Sequence, residues 1–305
     1  LSPARSSLVG AAWAVAAALS YGATNISIKL SGPHLTVWQT AMGRFVLGAV
    51  LVPFLASRLG LDLWGRSRGL LVVHGLTLTG AFLLIIQSLR LIPLSEAMIL
   101  LSVWPVFASL LSPWLAKEPT TRREWPLVAG AVAGTALILW PDRLGPGLNL
   151  GHFLALGTGF LAGLSIVLIR LLGRTNNALS IYFYFCLSGG LVCLGPLLAQ
   201  AGPLQPATGA GWLGLIAVAV LAMGGQVLTN QGLKYLKPSQ SSGLLMIEIL
   251  SAAAFGTLVL GEPLSWRLTL GAVLILGCGL ALIVLPGGPL KKANQQGWGR
   301  SRRLA

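Results

Sequence analysis

Glu248 sits among Leu244, Leu245, Ile249, Ser251 and Ala252, about nine residues into an apolar stretch running from 239 to 260. At 1.5 Å of rise per residue a helix would carry it about 13 Å deep, close to the middle of a bilayer. An ionisable group at that depth costs about 2.5–3.5 kcal/mol on insertion scales, so it needs a proton, a partner or a ligand. Burial penalises its anion unless something compensates. Such a carboxylate could exchange protons or pair with an ammonium group on a substrate. Alternatively, it hydrogen-bonds between helices and only pins them together.

Glu96 opens a second apolar stretch, 95–116. Arg44, about two turns into the stretch 36–57, and Arg90, at the end of the stretch 69–91, are expected in the same leaflet. An Arg–Glu pair there would spare both charges from low dielectric, either as a gate that breaks during transport or as a static bridge. Gln87 lies three residues before Arg90. Gln226 and Asn230 are four apart and so share one helix face, with Gln226 at a depth like that of Glu248. Trp13, Ala17, Tyr21 and Asn25 recur every four residues as an aromatic and polar stripe. Trp104 follows Glu96 on nearly the same face, and Pro105 after it releases the Leu101 carbonyl from its helical bond. Aromatic walls with a few polar groups describe a small-molecule pocket, and equally they describe ordinary helix packing.

Other chemistries find little support. Ser165, in Gly163-Leu-Ser-Ile, lacks the second glycine of an intramembrane serine-protease motif. The three histidines, His34, His74 and His152, show no Glu-x-x-His pattern, and there is no P-loop. Cys186, Cys193 and Cys278 lie in apolar stretches without metal-ligand spacing. No cofactor, no metal and no catalytic residue is expected. A channel would want rings of like charge or a carbonyl filter, and the chain offers neither.

These residues must be positioned by membrane helices. Of 305 residues, 55% are hydrophobic and only 9% charged. Soluble domains carry roughly 25% charged residues, so lipid must be the main solvent here. The net charge of +14 comes from short basic clusters between apolar runs, which argues for a lipid partner and against nucleic acid. Ten runs are about long enough to span: 8–28, 36–57, 69–91, 95–116, 123–141, 149–171, 179–199, 211–234, 239–260 and 266–285. The first is too long, and too weakly basic in front, for a cleaved signal peptide. With the N-terminus cytoplasmic, 16 of the 21 basic residues fall inside, leaving Lys29, Arg44, Arg90, Arg143 and Arg267 on or near the outer side. Both termini are therefore expected in the cytoplasm. Gly130 and Gly134, with Gly271, Gly277 and Gly279, suit the fifth and tenth spans as close-packed scaffold or as a homodimer contact.

A shift of 144 residues lays Gln87-Ser-Leu-Arg90-Leu-Ile-Pro-Leu-Ser95 on Gln231-Gly-Leu-Lys234-Tyr-Leu-Lys-Pro-Ser239, and Glu118-Pro119 on Glu262-Pro263. Each half then holds five spans. Since five is odd, the second copy enters the membrane in the opposite sense, as in many secondary transporters. Residues 87–97, continuing through Trp104-Pro105-Val-Phe to Lys117-Glu118-Pro119, resemble the first EamA repeat of the drug/metabolite transporter superfamily. Met246-Ile-Glu248 through Gly261-Glu262-Pro263 to Gly271 resembles its partner, and Arg44-Phe45 is similar to a recurrent feature there. The likeness runs over about residues 8–286 and departs at Ile249, where the family often has proline. It implies an all-α integral membrane protein of ten transmembrane helices in two inverted five-helix repeats, 1–146 and 147–288, with a basic cytoplasmic tail, 289–305. The implied function is a secondary carrier in the inner (plasma) membrane. It would export small organic metabolites such as amino acids or amphiphilic amines; the alternative is an importer of a nucleoside-like or vitamin-like solute. The family's acidic residue in this segment places Glu96 at the cavity mouth.

Overall fold

The computed structural model describes residues 3–117, 122, 124–139, 148–173, 175–200, 205–232 and 244–284. The tail 289–305, the Glu118-Pro119 pair and residues 239–243 of the ninth expected span lie outside them. Every regular element among the described residues is a helix: α1 (Pro3–Ser31), α2 (Val37–Leu59), α3 (Arg68–Leu91), α4 (Leu94–Leu101), α5 (Trp104–Leu115), α6 (Trp125–Leu139), α7 (Leu150–Leu172), α8 (Ala178–Ala199), α9 (Gly209–Gly232), α10 (Ile247–Leu258) and α11 (Trp266–Val284). Six stretches are long and apolar enough to cross a membrane: Val37–Arg58, Arg68–Leu91, Leu94–Leu115, Leu150–Leu172, Ala178–Ala199 and Gly209–Thr229. Three shorter apolar helices, Trp125–Leu139, Ile247–Leu258 and Trp266–Ala281, accompany them. The protein is a multi-pass, all-helical membrane protein.

Local chemistry sets the ends. Thr36 caps α2 in a reciprocal box: its hydroxyl accepts the Gln39 N–H at 3.1 Å, and its own N–H donates to Gln39 Oε1 at 2.8 Å. Asn149 caps α7, its side chain accepting the Gly151 N–H at 2.8 Å. The fourth expected span is not one helix. It breaks at Ser102-Val103, where Ser102 N–H bonds back to Ile99 O and Val103 N–H to Leu100 O in tight three-residue steps. Pro105 supplies the reason, since it has no N–H for the Leu101 carbonyl. The broken backbone is packed by α7. A Cβ on Gly159 would sit 3.1 Å from Leu101 O, and one on Gly163 would sit 2.7 Å from Trp104 O.

The packing crosses the sequence. α1 lies against α9 and α10, α2 against α8 and α9, and α3 against α7 and α8. α4 meets α10 and α7, α5 meets α7, and α6 meets α11. In each of these pairs one partner comes from residues before 146 and the other from residues after 147. The glycines of α6 and α11 are used on each other. A Cβ on Gly134 would lie 2.9 Å from Gly271 O, and one on Gly271 would lie 2.8 Å from Gly134 O. The middle of the bundle is aromatic: Phe45 is fully buried and meets Phe82 and Phe185 edge-on, at 5.7 and 5.2 Å between centroids. Gly189 leaves room for the Phe45 ring.

Candidate functional site

Glu248 stands in the first turn of α10. Gly22 allows α1 to cross there, because a Cβ at that position would come 3.3 Å from Glu248 O and would strike Ser251 Oγ. The next turn of α1 presents Asn25, whose Nδ2 donates to Glu248 Oε1 at 2.8 Å and to Tyr21 O at 3.2 Å. Tyr21 Oη in turn donates to Gln226 Oε1 on α9 at 3.1 Å. Tyr21 and Glu248 are both half-buried. Three helices thus hold one polar chain, Gln226–Tyr21–Asn25–Glu248.

Arg44 on α2 packs against aromatic rings rather than pairing with Glu96. Its guanidinium lies 4.4 Å from the Phe82 ring centre and 5.3 Å from that of Phe185. Tyr182 packs against Phe185 on the same side of the guanidinium. The expected Arg–Glu gate is therefore not formed. Glu96 takes another partner, His152, at 3.1 Å from Nε2 to Oε2. Since the Asn149 N–H donates to His152 Nδ1 at 3.2 Å, that nitrogen is an acceptor and Nε2 carries the proton toward Glu96. Arg90 instead donates to the Leu35 carbonyl.

A second polar group surrounds the Ile92-Pro93 joint between α3 and α4. Lys29 Nζ, from α1, donates to Leu89 O at 2.7 Å and Ile92 O at 2.6 Å, closing the C-terminus of α3. Glu262, beyond α10, accepts the N–H groups of Leu94 and Ser95 at 2.5 and 2.9 Å and the Ser95 hydroxyl at 2.7 Å. It caps α4 from 167 residues away in sequence. Each charge meets the helix end of opposite polarity.

The remaining expected residues fall apart from the Glu248 cluster. Gln87 is half-buried on α3. Trp104 opens α5 and packs through its carbonyl on Gly163. Trp13 is 38% exposed, with its Cβ beside Gly232, whereas Ala17 is buried and Tyr21 and Asn25 enter the polar chain. Asn230 lies in α9, with its side chain outside the described residues. Gln226 reaches Glu248 through Tyr21 and Asn25, and Asn25 of α1 is the residue that donates to the carboxylate. Sequence reasoning missed His152, Lys29, Glu262 and the aromatic seat of Arg44. Only the spacing of Tyr182 and Phe185, three apart, signalled the last. Ser165 Oγ and His74 Nε2 meet at 3.0 Å, but both residues are almost wholly buried and His74 Nδ1 has no hydrogen-bond partner, so nothing orients the pair for catalysis. Among the described residues no cluster of three metal ligands exists.

A model of the EamA-like transporter family matches residues 8–140 and again 149–285. The chain belongs to that family. Among its relatives is the pseudopaline exporter CntI of Pseudomonas aeruginosa, 27% identical over 275 residues, covering 90% of this chain and 95% of that one. Human solute carrier family 35 member G1 is 24% identical over 231 residues, or 72% of this chain and 63% of that one. One solved crystal structure superposes with a TM-score of 0.61 at 20% identity, over 93% of this chain and 98% of its own. This EamA-like chain is a membrane transporter.

Proposed function

We propose that this transporter is a secondary carrier that exports small organic metabolites, amino acids or amphiphilic amines, by alternating access between two inverted five-helix halves. The observation that carries the reading is the Glu248–Asn25 bond at 2.8 Å, which ties a carboxylate expected near the membrane midplane to a helix 223 residues earlier in the sequence. A substrate or proton reaching Glu248 competes with that bond and so acts on the contact between halves. Two further observations support the layout. The family model matches twice, in segments of similar length. The helix contacts also map onto themselves when the halves are exchanged: α1 with α9 becomes α7 with α3, α2 with α9 becomes α8 with α3, and α1 with α10 becomes α7 with the α4–α5 pair. The basic residues favour ten spans with both termini cytoplasmic, in the inner (plasma) membrane. A relative named as an exporter favours export over import of a nucleoside-like or vitamin-like solute.

The test is a solute screen on purified protein in liposomes, with and without a pH gradient. Movement of at least one class of small organic solute is expected, and movement of none overturns the carrier reading. Glu248→Gln should fold normally yet transport several-fold more slowly and lose part of the pH dependence, because the amide keeps shape but cannot titrate. An unchanged pH profile at equal protein level would reduce Glu248 to a packing residue. Topology is read by a reporter active only outside the cytoplasm, fused after Ala305, which should stay silent.

A further inference from the structure

The chain between α3 and α5 is cut twice. Pro93 ends α3 on one side, and the tight turn at Ser102-Val103 ends α4 on the other, so α4 is an eight-residue piece with a break at each end. Such a piece can turn as a unit about its two breaks. Its side chains Leu94, Ala97, Met98 and Leu100 are buried in the central core with Phe82, Ile249 and Ala252. Its first turn is held by two polar side chains of the other half. Glu262 accepts the Leu94 and Ser95 amides. Gly256 of α10 admits that contact, since a Cβ there would strike Glu262 Oε2 and come 3.3 Å from Ser95 N. His152 donates to Glu96 at 3.1 Å, with 11% and 26% of the two side chains exposed. The adjoining end of α3 is tied to the same half: Ser88 Oγ donates to Gly151 O at 2.9 Å, and Asn149 Nδ2 donates to Leu91 O at 3.3 Å.

A carrier that works by alternating access parts its halves at one end while they stay joined at the other. The contacts that part must be ones that water can replace, and hydrogen bonds of a partly exposed pair meet that requirement. The repeat does not copy the pair. At the 144-residue shift Glu96 falls on Gln240, and no histidine precedes His34. The two ends of the bundle are therefore chemically unequal, and a contact made at one end alone favours the state closed there. We propose that α4 is the gate at its end of the bundle, latched by Glu96–His152 and by Glu262, and that the pair absent from the repeat makes the carrier rest closed at that end. This rests on the carrier reading and on the topology that puts the α3–α4 joint outside. The resting carrier then opens to the cytoplasm, where an exporter takes up its load. His152 and Glu96 are positioning residues: they set which end is open through α4, not through contact with the solute.

The experiment uses Met98→Cys, at a fully buried position one turn on from Ser95, in the full chain. Its reaction with a membrane-impermeant maleimide is followed in intact cells and in inside-out vesicles, above the background of the chain's own Cys186, Cys193 and Cys278. Latched, it should react slowly from outside. Adding His152→Phe, which keeps a ring but no donor, should raise that rate at least about tenfold, because a hydrogen bond to a charged group is lost. Adding Gly256→Ala, which displaces Glu262, should do the same, and it carries the test where His152→Phe reaches the membrane poorly. Adding His152→Gln keeps an N–H for Glu96 and should stay within about threefold of the latched rate. Reaction in inside-out vesicles should rise in none of them. An outside rate unchanged by His152→Phe would overturn the inference. So would a rise of equal size from both sides, which marks general loosening, or a rise from inside alone, which puts the joint on the wrong side. The solute screen judges the carrier reading separately: if solutes move while labelling ignores the latch, the inference fails alone, and if no solute moves, both fail.

Discussion

Asn25 is the side chain on which the arrangement at Glu248 turns. It lies in α1, 223 residues before its partner, and it is the donor that satisfies the carboxylate across the halves. Removing it as Asn25→Leu would leave a buried acceptor short of a bond, at about 1–3 kcal/mol. The expected result is a lower Tm in detergent together with slower transport. Tyr21→Phe, which removes one neutral hydrogen bond to Gln226, should cost only about 1 kcal/mol and leave a working carrier. Equal effects of the two changes would mean that the carboxylate gains no more from Asn25 than Gln226 gains from Tyr21. The polar members of this group are legible in the sequence because Glu248, Asn25 and Gln226 interrupt apolar runs, and polar groups in hydrocarbon need reasons. Their pairing is not. Neighbouring spans of one half are the natural expectation for Glu248, whereas the contact comes from the other half. Depth alone assigns Arg44 to Glu96, and depth does not reveal which way a helix face turns. His152 escapes notice because its role, an acceptor from Asn149 and a donor to Glu96, exists only once α7 has its cap.

Among the elements, the joint between α3 and α4 shows how distant sequence closes a local gap. Pro93 removes a donor there and ends α3, which leaves the last carbonyls of one helix and the first amides of the next without partners. Lys29 takes the carbonyls and Glu262 takes the amides. Glu262→Gln keeps the size but loses the charge that made these bonds strong, so a loss of about 0.5–2 kcal/mol is expected, the usual worth of a helix cap. Thermal unfolding of Glu262→Gln, Lys29→Gln and the double variant measures it. A double variant less destabilised than the sum of the singles would reflect the coupling of two charges at one joint, and strict additivity would mean that they act separately. The repeat displays Glu262 with its counterpart Glu118, and the Glu-Pro pair is visible as a helix end. Its capping role is not, since a cap made from the far half leaves no local pattern. The break in the fourth span is half-legible: Pro105 announces a freed carbonyl, but the tight turn at Ser102-Val103 needs Gly159 and Gly163 of α7 to accept it.

At the scale of the whole molecule, the apolar runs locate the helices well, because a helix in lipid must satisfy its own backbone and composition then marks its ends. The way the halves interlock is hidden, since lipid-facing and protein-facing surfaces are both apolar and no amphipathic stripe tells them apart. Each half makes its principal contacts with the other, and that has a consequence for synthesis. A ribosome adding about 5–20 residues per second delivers Glu248 roughly 10–45 s after Asn25. For that interval α1 stands in the membrane with Asn25 and Tyr21 uncovered, and α2 and α3 wait likewise for α8 and α7. Nascent chains stalled before α9 should therefore be cleaved readily by added protease or held by the insertion machinery, while chains released after α11 should resist. The molecule becomes a folded object only once α10 and α11 have joined the helices made before them.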